Sequence, residues 1–554
     1  MIGVVARAEE REVARELFEL FKTPWEFWRP DGRYDVLVDT HDGTSADRPA
    51  RIVFLYGSNA GAFDDHRGQH PGLPRESTTL RWRGDRLPLY GRCVPLWPEG
   101  GPSDLVFEDT GEPTTAVTHA DGRIVVRIGY DLFHEIGALL TSGQPPAQAG
   151  VPTLERHVAI LRDWILRAGI PLVEIPPIPA GHRFMVCLTH DMDHPGIRFH
   201  RFDHTMAGFL RRAVVGSLVG AARGRRPLTD LRRNLAAAVT LPLVYLGWAR
   251  DFWAGFDRYL EIERGLGSTF FVIPFKRDPG RTVGGRAPRL RAAAYGVADI
   301  ADQVRELGAA GAEVGLHAID AWLDGARAIE ERGAISRVTG APTAGVRMHW
   351  LYFDERTPGR LEEAGFAYDS TFGYNDTVGF RAGTLQAFKP ITAQQLLELP
   401  LHVMDTALFY PSRLGLSPAA AHDMVFPLVD EAERHGGALT INWHDRSLAP
   451  ERLWGRFYVE LVDELKRRSA WFPTAARAVA WFRQRRAAVL NTLCGDGGAL
   501  RIKAYAAESA EMPGLTVRVH TSAPVDGVPT SLPRRRTTFI DLPLRDTLDA
   551  RVAV

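Results

Sequence analysis

FMVCLTHDMDH, residues 184–194, sets an apolar run against a cluster of acids and histidines. Phe184–Leu188 reads as a strand covered on both faces, the habit of a parallel sheet. The run breaks into Thr189, His190, Asp191, Met192, Asp193 and His194. Asp191 and Asp193 are two apart, so on an extended chain both point to one side and can address one ion or one water. The plainer alternative is a pair of turn-forming or helix-capping aspartates.

The same grammar repeats downstream. Apolar runs at Thr269–Ile273, Ala312–Leu316, Gly345–Met348, Gly365–Asp369, Leu396–Leu401 and Leu439–Asn442 bring the strands to seven. Helical spacing fills gaps over Val297–Ala309, Ala326–Val338, Arg360–Ala364 and Leu453–Arg468. Alternating strand and helix predict an α/β fold with a parallel sheet, and seven such strands predict a closed or nearly closed barrel. The unusual polar residues follow the runs. His317 and Asp320 follow the third, and Arg347 and His349 belong to the fourth. Asp369 closes the fifth, His402 and Asp405 follow the sixth, and Trp443-His444-Asp445 follows the seventh. Carboxyl ends of strands in an α/β barrel converge on one face, so these residues predict one pocket. Arg347 and His349 alternate and share a side, and inward suits an arginine better than the helix layer. A lone histidine is usually a satisfied polar residue; His317 gains weight from its place opposite the aspartates. His444, beside Asp445, is a candidate general acid or base, or else a hydrogen-bonded rim residue.

Aspartate with neutral imidazoles suits zinc or another divalent first-row metal. With a second carboxylate to take a proton from water and an opposed histidine to protonate an amine, the set suits amide or ester hydrolysis. No G-x-S-x-G, H-E-x-x-H or P-loop pattern supports a serine hydrolase, a zincin or a nucleoside triphosphatase.

Other regions flank this core. Residues 1–180 read as a separate α/β region, with a helix over Arg7–Phe21, strands at Tyr34–Val38 and Ile52–Tyr56, and a helix over Leu154–Ala168. A hairpin is expected in AVTHADGRIVVRI, turned by Asp121-Gly122. The proline-rich PLVEIPPIPAGHR (171–183) reads as a connector to the barrel at 181–487. Residues 195–255 are too long for an ordinary loop and rich in arginine and apolar residues; they read as a helical insertion that lids the barrel or touches a membrane. From 488 to 554, runs such as LRIKAYA and LTVRVH predict a small β module. The chain has 67 basic and 67 acidic residues, so nothing global points to nucleic acid. Three cysteines without a C-x-x-C pair give no support to thiolate zinc sites or redox motifs. The opening MIGVVARAEERE has no secretory pattern, and cytoplasmic residence is the expectation, with peripheral contact at the inner membrane face as an extension.

The order T-x-D-x-D, G-L-H, R-x-H, Y-D-S-T and N-W-H-D resembles the polysaccharide deacetylases, the NodB-homology or carbohydrate esterase family 4 group, over roughly residues 181–485. It looks closest to a bacterial subgroup with a T-H-D-x-D-H first motif and an extra N-terminal region, often associated with exopolysaccharide synthesis. The resemblance implies a distorted (β/α)7 barrel, a divalent metal, usually zinc, and hydrolytic N-deacetylation of an N-acetylated polysaccharide or lipid-linked sugar. By position, Asp191 resembles the catalytic base, Asp193 the metal-binding aspartate and His317 the first metal-binding histidine. Arg347 resembles the arginine that holds the base, Asp369 the acid of the fourth motif, and His444 the general acid. Two departures stand out. Met192 separates aspartates that are usually adjacent, and Ala321 occupies the position of the second motif histidine. A third metal ligand then comes from His349 first, Asp320 second, or His194 or His190. Trp322, Trp350, Tyr374 and Trp443 are candidate sugar-stacking aromatics, or packing residues. An amide hydrolase on a small non-sugar substrate and a catalytically degenerate carbohydrate-binding protein are the alternatives. The sugar, its linkage and the oligomeric state are left open.

Overall fold

The computed structural model describes every residue except 42–43, 69, 98–102, 121, 225–226, 495–498, 508–510, 525–531, 533–534 and 554. At its centre is an eight-member parallel sheet. Its strands are β1 (Met185–Met192), β2 (Ser268–Val272), β3 (Glu313–Ala318), β4 (Gly345–Met348), β5 (Tyr368–Asp369), β6 (Leu397–Glu398), β7 (Val403–Met404) and β8 (Ala438–Asn442). Their order is β6-β5-β4-β3-β2-β1-β8-β7. The two edges, β6 and β7, are consecutive in the chain. The Leu399 N–H donates to the Asp369 carbonyl on one side and the His402 N–H to the Thr440 carbonyl on the other. One extended segment thus spans both edges, and the sheet closes into a distorted (β/α)7 barrel whose sixth strand is split.

The strands form where apolar residues run without alternation, because both faces are covered. Phe184, Val186, Leu188, Phe270, Val272, Leu316, Val346 and Ile441 share one core with the surrounding helices. Among these helices are Ala301–Ala309, Gly325–Thr339, Thr357–Glu363 and Gly455–Arg467. Asp324 caps the second of them, its carboxylate accepting from the Ala326 N–H.

Before the barrel, a six-stranded mixed sheet carries Ile2–Val5, Val36–Asp39, Ile52–Tyr56 and the hairpin Thr115–Ala120/Arg123–Ile128. Gly122 has φ 74°, as the turn requires; Asp121 lies outside the described residues. Phe372 and Phe388 of the barrel region join this sheet's core. The expected connector differs in part: Leu172–Glu174 is a strand that pairs antiparallel with Leu515–Pro524. That three-stranded sheet includes Arg535–Leu544, and a second one joins Val489–Cys494, Ala499–Tyr505 and Thr547–Ala553. Residues 171–183 could not show this alone, because the partner strand lies far along the chain.

The insertion is a helical hairpin. One arm runs from His204 to Ala222 and includes a π-helical stretch, Arg211–Gly216; the other is Leu228–Tyr245. Its own small core joins Phe209, Ala213, Ala237, Leu241 and Trp253. No helix among the described residues is long and apolar enough to cross a membrane.

Candidate active site

The carboxyl ends of the strands open into a cavity of roughly 580 Å3 lined by Asp191, Asp193, His317, His349, Trp350 and His444, among others. Asp193 follows β1 directly. One of its oxygens, Oδ1, lies 3.3 Å from His317 Nε2 on β3 and 3.6 Å from His349 Nε2 in the turn after β4. The three ligand atoms lie within 4.8 Å of one another. Asp193 Oδ1 is buried and has no hydrogen-bond partner among the described residues. His317 Nδ1 faces the Arg347 carbonyl at 3.1 Å. A carbonyl only accepts, so Nδ1 carries a proton. Burial opposes a second one, but Asp191 and Asp193 outweigh it and raise the pKa of the ring, so Nε2 offers a lone pair toward Asp193 once that second proton is displaced. Burial pushes His349 down to about 4, which leaves its imidazole neutral. With Nε2 of both rings deprotonated, the two nitrogens and the Asp193 oxygen converge as three ligand atoms on one point, and two imidazoles with one carboxylate are a fitting donor set for zinc. Asp193, His317 and His349 would hold it.

Asp191 lies deeper. Its Oδ1 accepts from Arg347 Nη1 at 3.0 Å and its Oδ2 from Asn442 Nδ2 at 2.6 Å. Burial opposes its charge, but His317 and Arg347 outweigh that, and the carboxyl stays below its ordinary range. Arg347 is fully buried inside the barrel, where its other donors meet Thr189 Oγ1, the Ser370 carbonyl and Ser370 Oγ.

Across the cavity, His444 Nε2 stands 3.9 Å from Asp193 Oδ2. His444 Nδ1 meets Asp405 Oδ1 at 2.6 Å, and the His444 N–H donates to Asp405 Oδ2 at 2.7 Å. Burial alone would strip the imidazolium of its proton; the Asp405 carboxylate prevails and the ring is pushed up to about 10. Asp405 is itself held by Ser447 Oγ.

Several expected residues are elsewhere. Asp369 does not line the cavity; it bonds Thr371, and the contact to Arg347 comes from its neighbour Ser370. Trp443 is fully buried against Phe457 and Tyr458, so it cannot stack on a sugar. Trp322 is a core residue too. Tyr374 is buried and donates to the Gln144 carbonyl, tying the barrel to the N-terminal region. Trp350 alone of the four is cavity-lining and exposed, at 42%. Of the other metal-ligand candidates, His190 is buried against Glu263 and the Trp443 carbonyl, and Asp320 accepts from the Arg281 N–H. His194 lines the cavity but bonds His200 Nε2 at 3.0 Å, which in turn meets Asp203. Sequence reasoning assigned no role to Asp405, Asn442 or Ser370. The strand-end position of Asp405 was the one available signal.

No protein-family model and no curated protein matches the chain. Among solved structures, similarity extends to a Mycobacterium smegmatis protein assigned as a polysaccharide deacetylase, at 20% identity over 56% of this chain and 95% of that one, with a TM-score of 0.34. A Pseudomonas aeruginosa protein of the same assignment gives 17% identity over 58% and 98%, with a TM-score of 0.35. The Puue allantoinase gives 17% over 55% and 92%, with a TM-score of 0.34. Likenesses at this level bear on neither activity nor substrate.

Proposed function

We propose that the chain is a metal-dependent hydrolase that removes the acetyl group from an N-acetylated polysaccharide or lipid-linked sugar. The observation that carries this reading is the unsatisfied Asp193 oxygen facing two histidines, with Asp191 and a carboxylate-held His444 at the same cavity. A divalent cation, zinc by the donor set, would supply Lewis acidity toward the amide oxygen. Asp191, kept ionised by Arg347, takes a proton from the attacking water. The water oxygen bonds the acetyl carbon, the carbon–nitrogen bond breaks, and His444 delivers its proton to the departing nitrogen, leaving acetate and an amine. Trp350 offers an exposed ring as a sugar platform. The degenerate-binder alternative drew on Ala321, and the convergence of His349 with Asp193 and His317 weakens it.

The insertion supports work at a membrane surface. Val215, Leu218, Val219, Leu228, Val239, Leu243, Leu246 and Trp248 are all exposed, Val239 at 77% and Trp248 at 78%. Arg211, Arg223, Arg232 and Arg233 are exposed on the same two arms. Exposed apolar side chains interspersed along the sequence with exposed arginines match an anionic lipid surface, where each basic residue adds about 1 kcal/mol.

The test is acetate release from N-acetylhexosamine oligomers by chelated and zinc-restored protein. Zinc-dependent release that Asp191→Asn abolishes is expected. No release from any acetylated sugar, with release from small cyclic amides or imides instead, would move the reading to the non-sugar amide hydrolase.

A further inference from the structure

Besides the aspartate and histidine cluster, five arginines line the cavity, and three of them, Arg212, Arg446 and Arg452, lie close enough to repel one another. Arg446 and Arg452 aim at one phenol, their Nη2 atoms donating to the Tyr410 hydroxyl at 3.1 and 2.9 Å. Arg452 is only 9% exposed. Burial, with Arg446 beside it, pushes its guanidinium down to about 10. Arg212 is lowered by the same two causes.

Like charges crowded where water is scarce repel and call for counter-charge. The protein supplies little. Glu451 is buried, its nearest approach to Arg212 is 4.0 Å, and neither of its oxygens has a hydrogen-bond partner among the described residues. Burial also pushes the Glu451 carboxyl up, toward its neutral form. Arg212 Nε is likewise buried and has no hydrogen-bond partner among the described residues. Arg212 sits in the π-helical stretch Arg211–Gly216. Such a widened turn is rare and frequently marks a functional site.

We propose that Arg212, Arg446 and Arg452 form a phosphate subsite, so that the preferred substrate is a phosphate or diphosphate ester of an N-acetylated sugar. What happens at the amide rests on the deacetylase reading; the subsite rests on the arginines alone. Three guanidiniums face two buried carboxyls, Glu451 and Asp445, and burial raises the pKa of both toward the neutral form. Positive charge is left in excess, which suits a phosphate better than the single charge of a uronic acid. Arg446 lies two residues beyond His444, so an ester held there is close to the acid assigned to the amide.

Calorimetric titration of the zinc-loaded full chain tests this with N-acetylglucosamine 1-phosphate, N-acetylglucosamine, glucuronate and inorganic phosphate. The ester should bind at least about tenfold more tightly than the neutral sugar or glucuronate, with inorganic phosphate competing. That advantage should vanish in Arg446→Gln and Arg452→Gln, each first shown to keep native circular dichroism and zinc content. Equal affinity of wild type for ester and neutral sugar overturns the subsite. So does an advantage that survives both substitutions. Acetate is scored separately. Tight, arginine-dependent ester binding without acetate from any substrate sinks the deacetylase reading and keeps the subsite; acetate released equally from neutral and phosphorylated sugars sinks the subsite alone.

Discussion

His444 owes its chemistry to Asp405, which bonds both its ring and its backbone N–H. The pairing fixes the tautomer, directs Nε2 at the cavity and keeps the ring protonated. Asp405→Asn should therefore retain zinc yet lose about 10²–10⁴-fold in turnover, read as acetate release at saturating substrate beside a zinc assay. Turnover near wild type would remove His444 as the acid. At Asp193, the expectation concerns binding. His349→Ala should weaken zinc by more than the roughly 10–100-fold typical of losing an outer-shell partner, measured with a competing chelator. Unchanged affinity would exclude His349 as a ligand. Asp193, His317 and His349 were legible because each stands at a strand end. Asp405 was visible but carried no role, since its imidazole partner is 39 residues away and only the loop path joins them. Trp443 misled for a related reason: beyond β8 the chain turns its ring inward while its neighbour His444 reaches the cavity.

Helices and strands raise separate questions. The hairpin from His204 to Tyr245 leaves large apolar groups in water, which an isolated helix pair does at a cost of about 25 cal/mol per Å2 of apolar surface. Trp248→Glu combined with Val239→Glu should abolish flotation with anionic liposomes at low salt while leaving zinc content and acetate release from soluble substrate unchanged. Absence of wild-type binding to such liposomes would end the membrane proposal. After β4, Trp350 and Leu351 have φ of 69° and 54°, a left-handed pair of bulky residues. Strain of this kind costs roughly 1–3 kcal/mol per residue and collects at ligand sites. Trp350→Gly should leave thermal stability equal or higher and raise KM, because it relieves the backbone and removes the platform. A large fall in the melting temperature would show that the ring is needed for packing. Apolar runs revealed seven strands, but not that the sixth would break into β6 and β7, since closure depends on the circumference of the whole sheet.

At the scale of the molecule, Glu174 ties three regions together. Arg162 of the helix Thr153–Arg167 donates to it at 2.8 Å, and His520 of the C-terminal sheet meets it at 2.9 Å. Burial raises the cost of its charge, yet Arg162 and His520 outweigh this and hold it down to about 2. A carboxyl depressed in the folded state adds stability above its unfolded value near 4.5 and loses it as pH falls toward 2. The shift corresponds to about 3 kcal/mol. Glu174→Gln should lower the melting temperature at pH 7, and its gap from wild type should narrow below about pH 4.5. A gap that does not change with pH would show that the carboxylate charge is not what stabilises the joint. The order of apolar runs and the polar residues ending them determined the barrel and the candidate metal-binding group Asp193, His317 and His349, because covered strands and strand-end chemistry are local in sequence. The partner of His444, the crowding of Arg446 and Arg452 with Arg212, and the strand Leu172–Glu174 were decided by tertiary structure alone. Each depends on where segments far apart in the chain come to rest, and short-range periodicity carries no record of that.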